Sequence, residues 1–424
     1  MTQEEKIKKV IDEITTYLPN GGNLNFALFT QVLTNNRIEL NKKVIIEVKK
    51  ILLENKIEID TDVDDEDEDI SNIKPFDYSK INIDQKLYTL QNIVDRLQED
   101  EIELTPDYQR NLVWNTAKKS RLIESIFLNI PLPSFYFDAT NPSKWIVIDG
   151  LQRLSSIKEF FIDKTLVLQG LEYLSLNGKK ADEVPQSYIR RSMERNITGI
   201  MMLPSTPSDI KFNIFKRINT GGVSLNSQEI RNALATNRVR KVLLKFSKSP
   251  EFLKATSYSI SDSRMLDKEF VLRYLSFRIN DIEQYKKSNS FDDFLTKSCE
   301  RLDKIDESII DEMYDDFVMS MKTNYEIFGK KAFRKISISD GNRINPINKG
   351  LFDCFSVIIS KMSKEECKKL ILNKNIIIEK LSNLLDKANT SSKLLTYISS
   401  ASVNSVENRF LIVRNLLKEV LNND

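Results

Sequence analysis

The apolar positions change their period several times along the chain. Ile7, Val10, Ile11 and Ile14 recur at helical spacing, and Val44, Ile45, Val48, Ile51 and Leu52 form a second such stripe. The turn cluster Pro19-Asn-Gly-Gly22 separates them, which predicts a small helical domain over residues 1–59. From Asp60 to Asp69 the apolar period gives way to like charges that repel one another, predicting a solvated acidic linker over 60–74. Between 75 and 240 the texture is mixed. Leu87 to Leu97 reads as a helix, and Thr116 to Ile130 as a stronger one, with Leu122, Ile123, Ile126 and Phe127 on its apolar side. Pro131 and Pro133 stop that second helix. Ser134-Phe-Tyr-Phe-Asp138 and Lys144-Trp-Ile-Val-Ile-Asp149 are short, aromatic and β-branched, so they read as strands. A helix from Leu151 to Phe161 follows the second strand directly, and helix–strand–strand–helix indicates a mixed α/β or α+β domain. The spacing of Leu370, Ile371, Ile376, Ile377, Leu381 and Leu384 typifies the remainder, which predicts a large all-helical C-terminal domain over 241–424.

Composition narrows the function classes. A 424-residue chain that is 41% hydrophobic and 29% charged has the balance of a soluble globular protein of two to three domains. No apolar run approaches the roughly 20 residues that span a bilayer, so no membrane partner is expected. The polar start Met1-Thr-Gln-Glu-Glu is not a secretion signal, and Cys299, Cys354 and Cys367 show neither metal spacing nor a disulfide framework. A reducing cytoplasm is the expected location. The chain contains no histidine, which excludes a Ser-His-Asp triad, an HNH nuclease, a His-ligated zinc and an imidazole base within it. Any catalysis rests on carboxylates, Lys, Arg, polar side chains, backbone amides or a carboxylate-bound metal. The net charge of +2 conceals seven acids and no base within residues 61–70, leaving a mildly basic body compatible with nucleotide or nucleic acid. Asp60, Asp62 and Asp64 begin like a calcium loop but lack its glycine and closing glutamate.

Three segments carry candidate chemistry. In Asp149-Gly150-Leu151-Gln152-Arg153 a strand delivers Asp149 to a turn, Gly150 permits close backbone approach, and the next helix begins with free N–H groups that favour an anion. Arg153 can grip phosphate through two parallel bonds, and Asp149 can hold a cation such as magnesium or a ribose hydroxyl. Alternatively, Asp149 caps the helix and pairs with Arg153. Gln109-Arg110, followed by Trp114, Lys118, Lys119 and Arg121, can clamp phosphate or stack on a base, and Ser125 shares a helical face with Arg121. A core tryptophan and a solvated basic face explain the same residues. Phe215 to Leu234 places Arg217 and the loop Asn219-Thr220-Gly221-Gly222, a candidate phosphate nest, ahead of a helix capped at Asn226 or Ser227. Glu229 sits near the capping-box position and Arg231-Asn232 lie in the first turns. No P-loop and no nucleophile elbow is present.

In this order the segments resemble the N-terminal domain of the GmrSD-type restriction family, within the wider ParB/sulfiredoxin-like superfamily. The resemblance rests on Gln109-Arg110, Trp114, Arg121 and Glu124-Ser125, on Asp149-Gly150-Leu151-Gln152-Arg153-Leu154, and on Phe215 through Asn232, over roughly residues 85–235. It implies an α+β, ParB/sulfiredoxin-like domain over 75–240 that binds and hydrolyses a nucleoside triphosphate with magnesium, in a protein of bacterial defence against phage. Relatives add a histidine-dependent HNH nuclease domain, which a chain without histidine does not supply. Leu151 stands where the family motif Asp-Gly-Gln-Gln-Arg has its first Gln, which puts hydrolysis in doubt more than binding. The small helical module followed by an acidic linker, with Gly22-Asn-Leu-Asn-Phe-Ala-Leu-Phe-Thr30 and Glu54-Asn-Lys-Ile-Glu-Ile-Asp60, also resembles the acidic N-terminal region of primary bacterial sigma factors, which implies a DNA-mimicking or autoinhibitory arm.

Two functions of different class follow. In the first, the chain is a nucleotide-dependent regulatory or sensor protein of a restriction system. Asp149, Gln152 and Arg153 do the chemistry with magnesium at Asp149; Gln109, Arg110, Arg121, Ser125 and Gly150 lie on the phosphate side. Arg217, Asn219, Thr220, Gly221, Gly222, Arg231 and Asn232 close the site. DNA, a partner nuclease and a second copy of the chain are the expected partners. In the alternative, the chain is a non-catalytic DNA- or protein-binding adaptor with an acidic autoinhibitory N-terminal arm.

Overall fold

The computed structural model describes residues 3–17, 22–24, 57–59, 63–64, 82–104, 114–204, 206–218, 226–262, 264–336, 344–386 and 393–422, with single positions between 29 and 52. The chain divides into two compact units. One comprises Pro75–Ala235; the other is discontinuous and comprises Met1–Lys74 with Thr236–Asp424.

The discontinuous unit begins with α1 (Gln3–Tyr17). Its stripe of Ile7, Val10 and Ile14 packs with Val48 and Leu52, as the helical spacing predicts, and Leu24, Phe29, Val32 and Leu33 complete that cluster. The first 59 residues are not wholly helical, however. Gly22–Leu24 (β1) pairs in parallel with Ile57–Ile59 (β2). Val63–Asp64 (β3), inside the stretch expected to be a solvated linker, pairs in parallel with Ile347–Asn348. The turn cluster at residues 19–21 lies outside the described residues.

The inserted unit is built on a five-stranded mixed sheet in the order β4-β8-β6-β7-β5. Strand β4 is Ile83–Thr89, followed by α2 (Leu90–Gln98). The helical period over 87–97 is therefore half right: Leu87 belongs to the edge strand and is exposed, and the Thr89 hydroxyl caps the helix by accepting the Asn92 N–H at 3.2 Å. Strand β5 is Ile102–Glu103, and α3 (Thr116–Phe127) is capped by the Asn115 side chain. Strands β6 (Phe135–Asn141) and β7 (Lys144–Asp149) form an antiparallel hairpin, closed by Pro142-Ser143, with Asn141 Oδ1 accepting the Ser143 N–H at 3.0 Å. Helix α4 (Leu151–Ile157) follows at once and runs into a wider five-residue turn, Lys158–Ile162. Then come α5 (Gln186–Met193), β8 (Asn196–Met202), α6 (Ser208–Ile218) and α7 (Ser227–Leu234).

Alternation along β6 and β7 turns Phe135, Phe137, Trp145 and Val147 into one core with Ile93, Ile123, Leu154 and Phe160. Strand β8 serves as the hub, antiparallel to β4 and parallel to β6, so two of the long-range ladders of the sheet meet on it. The described C-terminal part of the other unit is mostly helical, though not wholly so as expected over 241–424, because Ile347–Asn348 forms a short strand. Phe252 and Phe270 meet Phe352 edge to face, and Phe317 lies tilted against Phe252 and Tyr274, among the helices Leu266–Ile279, Glu307–Phe328 and Lys349–Ile359. All three cysteines are buried. Among the described residues no helix is long and apolar enough to cross a membrane.

Candidate functional site

The junction between β7 and α4 is set by Gly150. Its φ of +102° belongs to the left-handed side of backbone space, and a Cβ there would stand 2.5 Å from the Phe135 ring. A glycine at this point lets the strand turn into the helix while the ring stays close against it. The Asp149 side chain does not cap α4, since no side chain bonds to the helix start. Asp149 instead ion-pairs with Arg153 (Oδ2 to Nη2, 2.9 Å) and stays 41% exposed. The pairing half of the bland alternative is observed and the capping half is not.

Arg153 points inward. Its guanidinium donates to the carbonyls of Pro133 and Ser134, the latter at 3.1 Å, and lies 4.3 Å above the Phe135 ring. Burial pulls its pKa down, with Asp149 opposing that shift. The arginine thus locks the loop before β6 against α4, and the carboxylate is the exposed member of the pair. Gln152 is half-buried, and its Oε1 accepts the backbone N–H of Trp114 at 3.4 Å. Trp114 itself packs on the core. Leu151, the departure from the family motif, is 5% exposed and belongs to that core.

The basic cluster on α3 is less open than its sequence suggests. Arg121 pairs with Glu172 at 3.2 Å and donates to the Gly170 carbonyl, while the Ser125 hydroxyl donates to the Arg121 carbonyl at 2.8 Å. Lys119 pairs with Glu159. Between them Glu124, 3% exposed, accepts the backbone N–H groups of Glu172, Tyr173 and Leu174 at 2.7–3.1 Å. Burial alone would raise the Glu124 pKa, yet these N–H groups and Arg121 hold it below its usual value. Glu124 is the anchor of the 171–174 loop.

On the third segment, Asn226 caps α7 and Glu229 returns the bond, closing a capping box. Arg217 is exposed on the last turn of α6, whereas Arg231 and Asn232 are buried on α7. Gln109, Arg110, Asn219, Thr220, Gly221 and Gly222 lie outside the described residues. Among the described residues no group of three acidic or cysteine side chains forms a metal cage.

Sequence reasoning missed two polar devices. Lys211 of α6, 8% exposed, bonds both Asp138 carboxylate oxygens of β6 at 3.1 Å, and Thr140 joins the pair. An aspartate ending the apolar run Phe135-Tyr-Phe was the available signal. Arg195 donates to the carbonyls of Ser125, Ile126 and Ile130, filling the open C-terminal end of α3. Nothing local to residue 195 announces that contact.

What the structure does bring together is the set of three sequence segments. Trp114 is tied to Gln152, α3 packs against α4, and α7 packs against β7. Residues 90–236, roughly a third of the chain, match the family model described as the GmrSD restriction endonuclease, N-terminal domain. No curated protein and no solved structure matches the chain. The resemblance carried by the three motifs is thereby borne out for this segment.

Proposed function

We propose that the chain is a nucleotide-binding regulatory or sensor component of a DNA-restriction, anti-phage system, with the ligand's phosphates received at the β7–α4 junction of a ParB/sulfiredoxin-like domain. The observation that carries it is the packing of the three motif-bearing segments on one another through α3, α4, α7 and β7, together with a half-exposed carboxylate beside an arginine already engaged by main-chain carbonyls. Asp149 is then the group that meets the ligand, through magnesium carried by a triphosphate, which takes one or two protein carboxylates. Arg153 acts as a positioning residue that fixes Asp149 and the loop before β6. Binding is favoured over turnover, because position 151 offers a core leucine in place of an amide that could orient water.

The test is calorimetric titration of each nucleoside triphosphate with magnesium, together with phosphate release, for the wild type, Asp149→Ala and Arg153→Ala. Binding lost in Asp149→Ala supports the proposal. Absence of binding and of turnover for every triphosphate sinks it, and leaves the adaptor alternative.

A further inference from the structure

We infer that Gln228 and Asn232 recognise the base of the bound nucleotide, an inference that rests on the nucleotide-binding function proposed above and deepens it. Helix α7 is buried from Gln228 to Ala233, and Gln228 and Asn232 are each 1% exposed. Four residues apart, they lie on one face of the helix. Glu229 is committed to the capping box, and Arg231 donates from Nε to Gln228 Oε1 at 3.0 Å while lying over Phe212. Two polar atoms of that face stay unmatched among the described residues: Nε2 of Gln228 and Oδ1 of Asn232.

Native interiors leave few such atoms, and each one calls for a group that fills it. Here the unmatched pair is one donor and one acceptor. A phosphate carries acceptors only and satisfies the glutamine alone. A nucleobase edge, with an N–H or amino group next to a ring nitrogen or carbonyl, satisfies both. Helix α7 packs against β7, the strand that ends in Asp149. A buried donor–acceptor pair also discriminates, because a base with the wrong edge leaves one atom unfilled.

The experiment compares calorimetric affinities of the four nucleoside triphosphates and of inorganic tripolyphosphate, each with magnesium, for the wild type, Gln228→Met and Asn232→Leu. The wild type is expected to prefer one base by about tenfold or more. In both variants that spread collapses while tripolyphosphate affinity is unchanged. Because either apolar variant can fail to fold, the isosteric Gln228→Glu, which exchanges the donor for an acceptor, is measured beside them and is expected to change the preferred base. A wild type indifferent to the base, a preference kept in the variants, or a parallel loss of tripolyphosphate binding overturns base recognition and leaves the nucleotide site standing. If the wild type binds neither triphosphates nor tripolyphosphate, the proposed function fails and this inference fails with it.

Discussion

Each of the two units holds an aspartate gripped by arginine above a phenyl ring, with a glycine making room, yet the two arrangements serve different ends. In the helical unit Asp353 is wholly buried. Arg273 meets it through two bonds of 2.9 and 2.6 Å, and Arg409 through one of 2.9 Å. Arg273 lies 4.4 Å above Phe291, and a Cβ on Gly350 would come within 2.9 Å of Arg409. In the inserted unit the same parts recur as Asp149, Arg153, Phe135 and Gly150, but there only the arginine is sealed. A carboxylate enclosed between two guanidiniums exhausts its charge inside the protein and acts as a joint between helices. A carboxylate at the surface beside an arginine held by two carbonyls keeps acceptor capacity for something else. Which partner is buried, more than which residues are present, separates scaffold from site.

Asp353→Ala is the severest way to break that comparison. It leaves two buried guanidiniums facing each other, and chemical denaturation should record a loss of about 3–5 kcal/mol or outright failure to fold. A loss below about 1 kcal/mol would mean that the sealed centre is no joint at all. Gly150→Ala should cost about 2–4 kcal/mol by thermal unfolding, because the left-handed backbone and the Phe135 ring both resist a Cβ. Glu124→Gln keeps the shape but weakens a charged acceptor shared by three N–H groups, for a loss of about 1.5–3 kcal/mol near neutral pH.

The sign of the pH effect at Glu124 follows from its lowered pKa. Its contribution is complete above the ordinary glutamate value and is lost as pH falls through the lowered one. The stability gap between wild type and Glu124→Gln, measured by denaturation across an acid series, should therefore narrow as the carboxyl protonates. Asp149→Asn is the mildest change: an exposed partner shifts stability by about 1 kcal/mol or less, while calorimetry should show magnesium–triphosphate binding lost. A variant that binds normally would make the exposed pair as structural as the buried one.

The strand–turn–helix around Asp149 was legible because each of its parts is local: apolar alternation, a glycine, then helical spacing. The cap at Asn226 with Glu229 was legible for the same reason. The edge of α2 was not, since Leu87 fits the helical stripe and only pairing with β8 assigns it to a strand. Arg153 illustrates a deeper limit. Its presence near phosphate chemistry is written in the motif, but the carbonyls of Pro133 and Ser134 that occupy it come from a segment two strands earlier. Lys211 with Asp138, and Arg195 with the end of α3, are likewise contacts between residues some seventy positions apart, which no periodicity encodes.

The pairing of Val63–Asp64 with Ile347–Asn348 bears on the order of assembly. Those two short strands are separated by the whole inserted unit, so during synthesis the first waits until residue 348 has been made. The insert is complete once residue 235 is made, and domains fold as units when their sequence is available. Loop-closure entropy grows with the length of flexible chain that must be spanned. An insert that has already collapsed removes its residues from that flexible length, so early folding of residues 75–235 eases the pairing of Val63–Asp64 with Ile347–Asn348.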